Sequence, residues 1–179
     1  MTHEFIAYTG TSVDAPLVGG LDIVSGKTLD VLWTGSTQAM ASQFQDGEIR
    51  KLRVTLQNPL VIPDEQRQAM CGNLSHAAVA RQTLAKVQGG ELFYDGIVFE
   101  DTVDGMEVAD VAVIFPRNGS VDHAVKLLGS LTFSDDLDDW VASPGFYDQP
   151  PESISLSAPN AVNISRRHGR RKESGISYF

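Results

Sequence analysis

The side chains best equipped for chemistry lie in a few short stretches. Tyr8-Thr9-Gly10-Thr11 closes the first apolar run of the chain. A glycine there lets a ligand amide approach the backbone closely, and the hydroxyls beside it can hold a ribose. Trp33-Thr34 opens a second stretch, with Ser36 in the turn that follows and ten residues separating Trp33 from Phe44. Two aromatic faces so spaced can sandwich a flat heterocycle such as nicotinamide. Each stretch also has a plain structural explanation: a strand ending in a turn, and two aromatics in a core. Asn58-Pro59-Leu60 has no evident chemistry and reads as the exit from a strand. In Tyr94–Asp101 a tight turn at Asp95-Gly96 leads into a buried strand, with Glu100-Asp101 at its far end.

Other chemistries have weaker support. His3, His76, His123 and His168 are scattered without metal-ligand spacing, which disfavours zinc. Glu100, Asp101, Asp104, Glu107 and Asp110 do not follow a calcium-loop pattern and read as a solvated acidic loop. Neither a phosphate-binding GxxxxGK[ST] loop nor a GxGxxG turn is present. The single cysteine, Cys71, excludes an internal disulfide framework and reads as a buried structural residue.

The elements that would position these residues are read from periodicity. Strands are expected over Phe5–Tyr8, Leu29–Thr34, Ile49–Leu56, Phe93–Phe99 and Val108–Phe115. Helices are expected over Gln38–Phe44, capped by Ser36 or Thr37, then Glu65–Met70, His76–Val87 and Val121–Leu128. Asn58-Pro59 should stop the third strand, Gly89-Gly90 should end the long helix, and Glu100–Glu107 should be a loop. Irregular alternation of strands and helices, without regular βαβ units, favours α+β over a doubly wound α/β fold.

Charge divides the chain. The net charge is −9, yet residues 166–179 hold Arg166, Arg167, Arg170, Arg171 and Lys172 against Glu173, leaving −13 for the first 165 residues. An acidic body repels nucleic acid, whereas the basic end could touch phosphate or fold back on that body. The expected organisation is one domain over residues 1–130. An acidic segment, a Pro/Ser-rich linker and a basic tail would follow over 131–179 and remain disordered. With 42% apolar residues, no run of about 18 uncharged apolar residues and no signal-peptide pattern at Met1–Phe5, the expected location is the cytoplasm.

Taken in order, Tyr8-Thr9-Gly10-Thr11, Trp33-Thr34-Gly35-Ser36, Ala39-Met40-Ala41, Asn58-Pro59-Leu60 and Asp95-Gly96-Ile97-Val98 resemble the motifs of an ADP-ribosyltransferase-like domain. The likeness is to the type carried by phages and mobile elements, in polyvalent proteins, and it covers about residues 5–122. It implies an α+β fold of split antiparallel sheets with short flanking helices and a flexible C-terminal tail. It also implies NAD as substrate and mono-ADP-ribosylation of a host macromolecule, in the host cytoplasm if the chain is phage encoded. Tyr8, Thr9, Gly10, Thr11, Thr34 and Ser36 would then hold NAD, with Trp33 and Phe44 packing on nicotinamide.

Two positions depart from the family. Thr9 stands where it has His or Arg, and Pro116-Arg117-Asn118-Gly119-Ser120 follows the last strand where it has an acid or amide. Glu100, Asp101 and Asn118 are the candidates for that catalytic role. The alternative is an inactive descendant, an acidic module that occupies a host protein. A structural accessory protein tethered by its tail is a third reading. The tail arginines and Lys172 are a weak candidate contact to nucleic acid, since no aromatics are interleaved with them.

Overall fold

The computed structural model describes residues 2–12, 16–18, 21–22, 27–42, 47–104, 107–134 and 139–147. The elements are β1 (His3–Thr11), β2 (Leu21–Asp22), β3 (Lys27–Thr28), β4 (Leu32–Gly35), α1 (Gln38–Ser42), β5 (Glu48–Leu56) and β6 (Pro59–Pro63). Then come α2 (Asp64–Cys71), α3 (His76–Gln88), β7 (Gly96–Asp104), β8 (Glu107–Ile114), β9 (Val125–Ser134) and β10 (Asp139–Ala142). Eight strands form one sheet in the order β10-β9-β5-β1-β4-β8-β7-β6, while β2 and β3 make a separate hairpin. Every contact in the large sheet is antiparallel except β6 on β7. The fold is therefore a mixed α/β structure on a largely antiparallel sheet.

Alternation along the strands gives the sheet two apolar faces. On one, Val31, Ile62, Ile97, Phe99, Val111 and Val113 pack with Val79, Ala80 and Leu84 of α3 and with Met40 of α1. On the other, Ala7, Leu52, Val54, Leu56, Ala112 and Ile114 pack with Val121 and Ala124. A sheet covered on both sides explains why β5 and β8 carry so many buried residues.

Local chemistry sets the helix ends. The Thr37 hydroxyl accepts from Met40 N at 3.1 Å, so Thr37 rather than Ser36 caps α1. Ser75 Oγ accepts from Ala78 N at 3.2 Å and starts α3, and Gly90 at φ +75° follows its end.

Asn58-Pro59 ends β5 as expected, and Pro59 then opens β6, an edge strand, where a residue without an N–H is tolerated. Three expectations are corrected. Glu100–Glu107 is not a loop, because β7 and β8 stay paired down to Asp104 and Glu107. Backbone pairing needs no apolar side chains, so polarity misled there. Val121–Leu128 is not a helix but a turn leading into β9, whose Val125 and Leu127 pair with Val54 and Leu52 of β5. Finally, β9 runs through the boundary drawn at residue 130, and Phe146 is buried, so the compact unit reaches Asp148. The tail, including Arg166, Arg167, Arg170, Arg171 and Lys172, lies outside the described residues.

Candidate functional site

At its centre the sheet is held by little strand pairing. β1 pairs with β5 over nine positions, from His3↔Leu56 to Thr11↔Glu48. With β4, on its other side, it pairs at one position among the described residues, Tyr8↔Gly35. β4 then pairs with β8 along its whole length, Leu32↔Ile114 to Gly35↔Val111. Beyond Tyr8 toward Thr11, and before Gly35 toward Leu32, the two central strands part. Strand separation leaves facing backbone groups that β4 does not satisfy, which is where a ligand can substitute for a neighbouring strand.

The Tyr8↔Gly35 pair sets which candidates share a face. Two residues on from Tyr8 is Gly10, and two residues back from Gly35 is Trp33, so Gly10 and Trp33 stand on one face of the two arms. Trp33 is half-buried against the core that includes Met40 and Val113. Tyr8 shares that face and meets the Phe146 ring edge-on, centroids 6.2 Å apart. Gly35 is required there, because a Cβ would lie 2.6 Å from Met40 Cγ.

Thr9, Thr11 and Thr34 point to the opposite face, and all three are buried. The Thr34 hydroxyl donates to Ala112 O at 3.2 Å and that of Thr11 to Ser12 O at 3.3 Å. Sequence reading had grouped these threonines with Tyr8 and Trp33; the two-residue period of a strand separates them.

The acid and amide candidates are spread out. Ser36 lies past the crossing, away from Gly10, where its Oγ accepts from Asp110 N at 3.0 Å. Asp110 Oδ1 in turn accepts from Asp101 N at 3.0 Å, and Asp101 sits at φ +51° in the irregularity that interrupts the β7–β8 register. Ser36 and the Glu100-Asp101 bulge therefore share one end of β8. Asn118 belongs to the other end, beyond Ile114. Asn118 (φ +52°) and Gly119 (φ +78°) form the two-residue turn closed by Arg117 N to Ser120 O at 2.8 Å, the Asn-Gly hairpin geometry. Phe44 lies outside the described residues.

Two residues that sequence reading passed over stand beside the parting strands. Arg50 pairs with Thr9 and Glu48 with Thr11, on the threonine face. Arg50 Nη2 lies 2.7 Å and Nε 2.8 Å from Glu48 Oε2, with each side chain 12% exposed. Their spacing of two at the start of β5 was visible in the sequence, but the register that sets them opposite Thr9 and Thr11 was not.

The remaining motif is explained by the fold. Asp95 is buried, and its carboxylate accepts from Gln57 N at 2.5 Å and Asn58 N at 3.1 Å. Asn58 answers through its side-chain amide to Phe93 O and its carbonyl to Asp95 N. A Cβ on Gly96 would lie 2.6 Å from Val113 O. Asn58-Pro59-Leu60 and Asp95-Gly96 thus form the joint that starts the parallel β6–β7 pair.

Nearby, His123 has its pKa lowered by burial and by the Arg117 charge, against the opposing pull of Asp95. A cavity of about 300 Å³ lies between β6, α2 and α3, lined by Leu60, Ile62, Met70, Cys71 and Tyr94 among others, and holds none of the candidates. Among the described residues no group of three or more His, Cys, Asp or Glu could hold a metal ion, and no helix is long and apolar enough to cross a membrane.

Comparison with protein-family models, with curated proteins and with solved structures finds no match.

Proposed function

We propose that the chain is an NAD-binding, ADP-ribosyltransferase-like protein whose site is the opening between β1 and β4. The observation that carries this reading is the single β1–β4 pair, with Gly10 and Trp33 on one face of the diverging arms. The donor set suits the ligand. The indole face of Trp33 can take the cationic pyridinium of NAD, and backbone groups of β1 that β4 does not bond can take its amide. Arg50 and Glu48 stand with Thr9 and Thr11 on the opposite face, bonded to each other.

In this reading the bond broken is that between the ribose C1′ and the nicotinamide nitrogen. The electron pair leaves with nicotinamide, and an acceptor oxygen or nitrogen forms the new bond to C1′ and gives up its proton. A carboxylate near the ribose would stabilise the cationic transition state. Glu48 stands beside Thr11 on the face opposite Gly10 and Trp33, whereas Glu100 and Asp101 lie by Ser36 at the far end of β8. Glu100, Asp101 and Asn118 remain the candidates for that role.

A second reading has its own observation. Asn118 is used by a tight turn, Asp101 N is bound to Asp110, and Glu48 is tied to Arg50, so each has a structural task. An acidic module without catalysis, occupying a host protein, follows if those tasks are all they do.

Titration calorimetry with NAD, together with transfer of label from NAD in a host lysate, separates the two. The enzyme reading expects binding and transfer, both lost in Trp33→Ala with the fold retained. Binding without transfer, in the wild type, leaves an NAD-binding module. No binding at all removes the first reading.

A further inference from the structure

The cavity of about 300 Å³ between β6, α2 and α3 stands apart from the β1–β4 opening and owes nothing to that reading. Its size is at the lower end of the range that small-molecule sites occupy. The floor is apolar: Leu60 and Ile62 come from β6 and Val79 from α3. α2 walls it with Met70 and Cys71 yet buries none of its own residues. At the mouth Met70 is 48% exposed, and Leu74, from the turn after α2, is 38% exposed.

One side of α3 brings polar groups to this apolar space. Val79, Gln82, Thr83 and Lys86 are separated by three- and four-residue steps, which sets them on one face of the helix. Thr83 is only 7% exposed, and its hydroxyl has no hydrogen-bond partner among the described residues. Among those residues no fully enclosed side-chain oxygen or nitrogen lacks a partner, so this hydroxyl is not sealed in. The open space that Thr83 lines is the cavity. Lys86 is the one charged residue among those lining it and makes no ion pair among the described residues.

We propose that this cavity binds a small amphipathic carboxylate. Its hydrocarbon chain would lie against Leu60, Ile62 and Val79, with its carboxylate at Gln82, Thr83 and Lys86. Hydroxyl, amide and ammonium can all donate, and an ionised carboxylate only accepts. A largely buried hydroxyl without a partner is unfavourable, and a ligand oxygen would satisfy it. One positive charge at the rim matches one negative charge, whereas a phosphate monoester would bring about twice as much. Met70, unbranched and adaptable, can close over the tail.

The test uses the full chain and octanoate, with octyltrimethylammonium and octanol as controls carrying the same tail. Cys71, a lining residue and the single cysteine of the chain, reports occupancy through its rate of alkylation by iodoacetamide. Calorimetry is expected to show one octanoate site per chain, and saturation should slow the alkylation several-fold. Lys86→Gln should weaken octanoate about tenfold and Thr83→Val about threefold. In both, octanol affinity and the melting temperature should stay near wild type. Lys126→Gln, on β9, should change nothing. The proposal is overturned if octanoate does not bind, if octyltrimethylammonium binds as well, or if bound octanoate leaves Cys71 alkylation unslowed. Equal losses in Lys86→Gln and Lys126→Gln would also reject it, as would unchanged octanoate affinity in both Lys86→Gln and Thr83→Val.

Discussion

Two places where distant stretches of sequence meet behave in opposite ways. At the Asn58–Asp95 joint the polar groups bond one another: two backbone N–H groups on one carboxylate and a side-chain amide on a carbonyl, beside a glycine where a Cβ would strike Val113 O. At the Gly10–Trp33 opening, strands that run side by side pair once and part. Both places are marked by short motifs of similar composition. The first is consumed by the fold; at the second, β4 bonds β1 at one pair and Trp33 is half-buried against the core. Residue types alone do not tell these two places apart, while their hydrogen bonds do.

The sharpest way to break the comparison is at the joint. Asp95→Ala removes the shared acceptor of two part-buried backbone donors and should lower stability by about 2–3 kcal/mol, read as a shift in the denaturant midpoint. Gly96→Ala, which forces a methyl toward Val113 O, should lower it by about 1–3 kcal/mol. Neither stability loss depends on NAD. At the opening the expected pattern is reversed. Trp33→Ala should weaken NAD binding about tenfold or more, measured by calorimetry at a temperature where the variant is folded. Thr34→Val, one residue on but facing away and already bonded to Ala112 O, should leave NAD affinity unchanged and lower stability by about 1 kcal/mol. Equal effects of these two on affinity would erase the distinction between the faces.

The smallest effect concerns pH. The pKa of His123 is lowered in the folded chain by burial and by Arg117, so below about pH 6.5 the unfolded chain binds more protons at this site. Stability should then fall as pH drops through 6.5 toward the folded pKa, and be flat above it. In His123→Asn that part of the acid sensitivity should disappear from a series of melting temperatures.

Much of the fold was legible because it is local. The strand over 49–56, the helices after Pro63 and Ser75, and the glycine stop after Gln88 depend on periodicity and caps that a few residues specify. The misreadings have one cause. Val121–Leu128 carries apolar residues at helical spacing, yet β9 forms because β5 offers it a paired edge. Glu100–Glu107 looked like a loop for its charge, although strand pairing is made by the backbone. The candidate site divides in the same way. Gly10 and Trp33 stand out as candidates by residue type, whereas nothing local sets Arg50 and Glu48 beside Thr9 and Thr11.

The order of amino acids determined an acidic body with a basic end, an apolar content sufficient for a core, and most of the short-range turns and helices. Tertiary structure decided which strand lies next to which, and at what register. From that followed where the central strands part and which side chains share a face. The physical reason is distance along the chain: caps and periodicity act within one or two turns, whereas the partners of β1 lie about thirty to fifty residues away.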